Sequence, residues 1–190
     1  MARPRSPRGH GRRRVIDAAV ELFAEHGVSG TSLQMIADHL GVTKAAVYYQ
    51  FHAKEDIVLA AIEPAVEDLA VFVSAAEKVD GPDEAALVAL RGLVDVMISH
   101  RQVVAAIMRD PEVERIRAAD EDLNSLIGRL MALLLGPAPD LRRRVAVSLV
   151  GAGVANTGID PLLADVDDDT LRAQLLELGP SVLVASWRGA

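Results

Sequence analysis

Residues 31–51 read TSLQMIADHLGVTKAAVYYQF. Leu33, Ile36, Ala37 and Leu40 recur at helical spacing, and Gly41 stands where a left-handed residue ends a helix. Thr31 and Gln34 have capping-box spacing, which predicts a helix that starts at Thr31. After Val42, Thr43 is placed to cap a further helix from Lys44 to about Gln50, with Val47 and Phe51 pointing inward. Helix, short glycine turn, helix is the helix-turn-helix pattern, and its second helix is the candidate for a DNA groove. A plain helical hairpin shares the glycine turn, so the flanking sequence has to separate the two.

Upstream, Val15, Ala18, Ala19, Leu22 and Phe23 form one stripe of a helix from about Arg12 to His26, and Gly27 supplies its stop. That helix gives the pair something to pack against. The first fourteen residues hold six arginines and no acid, and Pro4, Pro7, Gly9 and Gly11 make a helix poor there. A flexible basic arm over residues 1–11 is expected. The formal net charge of the 190-residue chain is −7, yet residues 1–54 sum to +4 and residues 55–190 to −11. The asymmetry suggests a basic module facing a polyanion and an acidic body facing something else.

Downstream, strand signals are weak and an all-α fold is expected. A helix over 53–78 contains Pro64, which predicts a kink near Glu63. Further helices are expected over 83–99, 101–109, 111–135, 139–157 and 168–188, the last broken or kinked by Gly179 and Pro180. Four of the six aromatic residues lie in the first 51 positions, so the body core must be built from Leu, Val, Ile, Ala and Met.

Composition excludes several classes. With no cysteine there are no disulfides, thiolate metal sites or Cys nucleophiles. No apolar run exceeds the six residues of Leu130 to Leu135, far short of a membrane span, and a cytoplasmic, nucleoid-associated protein is expected. An enzyme on a helical bundle and an adaptor that binds no DNA are the competing readings. The five histidines form no i, i+4 metal pair, and neither HExxH nor a phosphate-cradling glycine loop occurs. Asp167, Asp168 and Asp169 precede a helix and read as capping residues. No catalytic residue, metal or cofactor is expected.

The stretch RRRVIDAAVELFAEHGVSGTSLQMIADHLGVTKAAVYYQFHAKEDIVLAAI, Arg12 to Ile62, resembles the DNA-binding region of TetR-family transcriptional regulators. The resemblance covers roughly the first third of the chain. It implies an N-terminal three-helix DNA reader, residues 12–52, and a helical ligand-binding and dimerisation domain, residues 53–190. The expected partners are a double-stranded, palindromic DNA operator, a second copy of the chain and an unidentified small-molecule effector. Repression is the usual family outcome, and activation stays open.

The exposed face of the groove helix offers Thr43, Lys44, Ala45, Tyr48 and Tyr49. Lys44 can donate to guanine, the Ala45 methyl can pack on a thymine methyl, and the tyrosines can reach phosphates or base edges. By resemblance, Gln34 reaches the groove, Thr31 or Ser32 holds phosphate at a helix N-terminus, and Lys54 clamps a phosphate. Gln50 stands where many relatives have histidine. Arginines of the basic N-terminal stretch, Arg12 and Arg13 among them, are placed to lie along phosphates or enter the minor groove.

In the body, the resemblance puts a four-helix dimer bundle on the helix around Leu141–Ala155, rich in small residues, and on the last helix, with Leu171, Leu175, Leu178, Val182 and Trp187 as its apolar set. A ligand pocket is expected among the helices from about 59 to 156. Its candidate lining is Met97, Met108 and Met131 beside Ile107, Leu126 and Leu130, with His100, Gln102, Arg109, Asn124 and Asn156 as polar handles.

Overall fold

The computed structural model describes residues 10–107, 110–157 and 160–187. Among them lie ten α-helices, one 3-10 turn and no strand. The helices are α1 (His10–Gly30), α2 (Leu33–Leu40), α3 (Lys44–Gln50), α4 (Lys54–Ala76), α5 (Pro82–Ser99), α6 (Arg101–Ile107), α7 (Pro111–Ala119), α8 (Glu121–Leu135), α9 (Leu141–Thr157) and α10 (Asp168–Trp187). The all-α expectation is met. Positions 1–9 of the basic arm lie outside the described residues, while its last two, His10 and Gly11, are the start of α1.

The chain forms two compact units. The first comprises the described residues up to Pro64 together with 105–119, and the second comprises 65–104 and those from Asp120 onward. The division falls inside α4 at Pro64, eleven residues into the segment expected to begin the C-terminal domain.

In the first unit α1, α2 and α3 pack on one another, and α7 packs on α1. Val15, Ala18, Ala19, Leu22 and Phe23 of α1 are buried with Ile36, Ala37, Val47 and Phe51. The cap of α2 is Ser32, whose Oγ accepts from Met35 N–H at 3.2 Å. The expected cap Thr31 is instead buried, and its hydroxyl donates to Gly27 O at 2.7 Å. Gly27 has left-handed φ (74°) and bends the end of α1, so Thr31 serves that bend and the capping role moves one residue on. Gly41, also left-handed (φ 65°), ends α2, and Thr43 caps α3 by accepting from Ala46 N–H.

In the second unit α5 packs on α8, α9 and α10, and α9 on α8 and α10. Its core gathers Val73, Leu90, Val94, Ile98, Leu126, Leu130, Leu134, Val147, Val150, Val154, Leu171 and Leu183, with no aromatic among them. Two expectations change. The helix expected over 111–135 is two helices, because the Asp120 carboxylate accepts from Leu123 N–H at 2.9 Å and starts α8 afresh. Of the break or kink expected at Gly179–Pro180, the break is absent: α10 is one helix that contains Pro180. Gly179 is buried there, and a Cβ at that position would lie 3.2 Å from Leu90 Cδ2, so the glycine serves helix–helix approach.

Among the described residues one charged side chain is buried. Arg143 is 6% exposed; its Nε donates to Leu134 O at 2.8 Å, Nη1 reaches Asp83 at 3.4 Å, and its guanidinium lies 4.9 Å over the Trp187 ring. Burial lowers its pKa, against the opposing fields of Asp83 and Asp140.

Candidate nucleic-acid interface

α3 shows how the short helix is held and what it leaves outside. Val47 is fully buried and Phe51 nearly so, which fixes the helix on α1 and α2. The other face carries Thr43, Lys44, Ala45, Tyr48, Tyr49 and Gln50, all exposed. Tyr49 is 84% exposed, a large aromatic side chain that the module does not use for packing. Tyr48 is 52% exposed and meets His52 edge-on, with ring centroids 5.3 Å apart. Lys44, at the first turn, extends no ion pair to the described residues. The helix N-terminus, where side chains reach base edges, therefore presents a threonine, a lysine and an alanine methyl together.

Other expected contacts are occupied within the protein. Ser32 and Gln34 are exposed, and Gln34 Nε2 donates to Asp38 at 2.8 Å. Thr31 is buried and its hydroxyl is spent on Gly27 O. The Arg12 guanidinium lies 4.8 Å over the Phe51 ring and 3.8 Å from Glu63, and Arg13 pairs with Asp17 at 3.0 Å. The Lys54 ammonium donates to Val28 O at 2.6 Å and pairs with Glu112 at 3.0 Å. Lys54 thus caps the carbonyl end of α1 in the manner of a C-terminal lysine.

Residues that sequence reasoning missed lie in 105–119. Asp110 accepts from Ser29 N–H (2.6 Å), Ser29 Oγ–H (2.7 Å) and Glu112 N–H (2.9 Å). Burial pushes the Asp110 carboxyl up, but these hydrogen bonds and the Lys54 charge outweigh it and hold the pKa below the usual value. Asp110 and Glu112 bind α7 to the end of α1 from some eighty residues away in sequence. No periodicity or motif marks that pairing.

The expected ligand-pocket residues are dispersed. Leu126 and Leu130 are core, Met97 packs against it, and Met131 is 38% exposed. His100 pairs with Asp68 at 2.8 Å, and Asn156 bonds back to Ala152 O. Gln102 and Asn124 are exposed, and Met108 and Arg109 lie outside the described residues. Within the second unit, a cleft of about 380 Å³ is lined by Asp68, Phe72, Asp95, Val96, Ser99 and Arg172, and a groove of about 430 Å³ by Pro82, Ala85, Arg129, Leu133 and their neighbours. Neither includes the expected residues. Among the described residues no group of three or more His, Asp or Glu side chains could hold a metal ion, and no helix is long and apolar enough to cross a membrane.

The first unit thus defines a class: a three-helix helix-turn-helix module with a polar, aromatic groove face. Residues 15–61 match the family model described as bacterial regulatory proteins, tetR family. The chain is 45% identical over 51 residues to the HTH-type transcriptional regulator SrpR of Pseudomonas putida, which covers 27% of this chain and 24% of that protein. The chain thus matches about a quarter of the length of such curated relatives. Over the whole fold it resembles NalD of Pseudomonas aeruginosa, the secondary repressor of the MexAB-OprM multidrug efflux pump, with TM-score 0.62 and 27% identity across 89% of this chain and 94% of that one. FadR of Bacillus subtilis, solved in complex with stearoyl-CoA, has the same fold, with TM-score 0.60 and 19% identity across 90% of this chain and 98% of that one. Residues 15–61 are thus a DNA-binding region of the TetR type, and the whole chain shares the fold of TetR-family regulators.

Proposed function

We propose that this chain is a transcriptional repressor that binds a palindromic operator as a homodimer and is released by a small-molecule effector. The observation that carries the DNA half is the α3 face, where Lys44, Tyr48 and Tyr49 are exposed on a helix anchored by buried Val47 and Phe51. Such a face is what a groove-reading helix needs: a rigid back and a front of donors, a methyl group and aromatic hydroxyls.

Support for the homodimer comes from α9 and α10. Leu141, Val145 and Leu149 on α9, and Leu178 and Val182 on α10, are exposed aliphatic side chains. Ala152 and Gly153 continue the α9 face with small residues. Leu171, Leu175 and Trp187, expected in the same set, pack into the unit's own core, so the proposed seam is narrower than the sequence suggested. Five exposed aliphatic side chains on two helices that pack on each other are more than a monomer's surface needs. Two readers related by a two-fold axis would meet half-sites one helical turn apart, about 34 Å.

Effector control follows from linkage: a ligand weakens DNA binding only if it prefers a conformation in which the readers are misplaced. NalD is a repressor, and FadR was solved in complex with stearoyl-CoA, which supports the ligand-responsive reading for this fold. Pro64, inside α4, is the proposed hinge. The test is selection from a random duplex pool by the purified chain, with sedimentation equilibrium on the recovered complex. An enriched inverted repeat carrying two chains is expected. Enrichment of nothing, or of a single asymmetric site with one chain, would overturn the reading.

A further inference from the structure

The described cations of the DNA module are mostly neutralised from within. Arg12 faces Glu63, Arg13 faces Asp17, and Lys54 faces Glu112. The first two pairs are solvent-exposed, with side chains 47% to 73% accessible, and contribute little. The third differs. Lys54 and Glu112 side chains are only 17% and 21% exposed, and Glu112 Oε2 is buried with no hydrogen-bond partner beyond that ion pair. Glu112 is also the only one of the three acids supplied from outside the continuous stretch 10–64, on α7. Asp110 locks the start of α7 to Ser29, so Glu112 is held in place and does not sample the ammonium by chance.

A carboxylate oxygen 3.0 Å from an ammonium makes the same kind of charge-assisted contact that a phosphate oxygen makes. We propose that Glu112 is an internal phosphate mimic that competes with DNA for Lys54, so that the 105–119 segment sets the affinity of the reader. The proposal rests on the DNA-binding reading above. Lys54, expected by resemblance to clamp a phosphate, opens α4 four residues after Gln50, the last residue of α3, and its side chain is 17% exposed. While Glu112 holds it, Lys54 releases no counterion on DNA binding. A displacement of α7 would free it, and affinity and salt dependence would rise together.

The competing view is that the pair is only structural. The two views predict opposite signs for one substitution. Glu112→Gln removes the charge at constant shape. If the pair is structural, the variant is less stable and binds DNA equally or less well. If Glu112 competes, the variant binds more tightly even though it has lost an ion pair. The experiment is fluorescence anisotropy of the full chain with a fluorescein-labelled mixed-sequence duplex across a NaCl series, for wild type, E112Q, K54A and K54A/E112Q, with E112A as a second neutral variant and circular dichroism as the folding check.

The expected result is about fivefold tighter binding per reader for E112Q, the strength of one modest ion pair, and a log–log salt slope steeper by about 0.9. The gain should vanish in the K54A background. Unchanged or weaker binding by folded E112Q or E112A overturns the proposal. So does a gain that persists without Lys54, because it would be a general effect of removing an acid. If wild type and all variants fail to bind the duplex even at the lowest salt, the DNA-binding reading itself fails.

Discussion

Gly92 on α5 is the sharpest test of the packing in the second unit. A Cβ there would lie 2.4 Å from Phe72 Cβ and 2.6 Å from Phe72 Cγ, well inside van der Waals contact. Phe72 Cβ is fixed by the backbone, so no rotamer change moves it away; α4 or α5 itself must shift. Gly92→Ala gains about 1 kcal/mol of helix propensity. Overpacking against a fixed neighbour costs about 1–3 kcal/mol, and the root contact puts this case at the upper end. The net expectation is a loss of about 1–2 kcal/mol. Gly128 on α8 is the internal control: it is exposed, and nothing lies within 4 Å of its added Cβ. Gly128→Ala should therefore gain up to about 1 kcal/mol. At about 2–4 °C per kcal/mol for a chain of this size, thermal melts followed by circular dichroism should place G92A below wild type and G128A above it. Equal shifts for the two variants, or a G92A melt at or above wild type, would refute the α4–α5 approach at Phe72.

Ser32→Ala should cost about 1 kcal/mol in a denaturant titration, because it removes the cap of α2 while Thr31 cannot take over that role. The Asp110 carboxyl has a folded-state pKa below its ordinary value, so its stabilising effect is fully present above the unfolded value of about 3.9 and is lost as pH falls through the lower folded value. Asp110→Asn should flatten that acid dependence, and an unchanged stability profile between neutral and acid pH would contradict the Ser29 latch. Leu149→Glu, at a side chain 64% exposed on α9, should leave the unfolding free energy of a monomer within about 0.5 kcal/mol of wild type. It should abolish association in sedimentation if the α9–α10 face is a dimer seam.

The sequence made local features legible because they are written in adjacent residues. Thr43 before Lys44, Gly41 after Leu40 and the inward pair Val47 and Phe51 stand as the periodicity and capping rules place them. It misjudged Thr31 by one position, because the bend at Gly27 that recruits its hydroxyl is a tertiary feature. It divided 111–135 wrongly because Asp120 lies in an acidic, helix-tolerant run and only its own side-chain bond shows the restart. It left a break at Pro180 open beside a kink because propensity outweighs packing in sequence, whereas the buried face of α10 keeps the helix continuous in the fold. The Asp110–Ser29 and Glu112–Lys54 pairs were invisible, since polar residues far apart in sequence carry no signal of their contact. The dispersal of Met97, His100, Met131 and Asn156 has the same origin: helical spacing says which face a residue is on, and not which cavity that face lines.

The central claim is that the exposed α3 face reads DNA. The most direct measurement is competition anisotropy of the full chain on duplex DNA taken from upstream of its own gene, comparing wild type with Lys44→Ala and Tyr49→Ala. Tyr49 is 84% exposed and Lys44 is exposed, so neither substitution should disturb the fold. Specific binding that outlasts unlabelled mixed-sequence competitor is predicted, weakened about tenfold or more by either substitution through a lost contact of about 1–3 kcal/mol. Binding indifferent to both substitutions, or no preference over the competitor, would contradict the account.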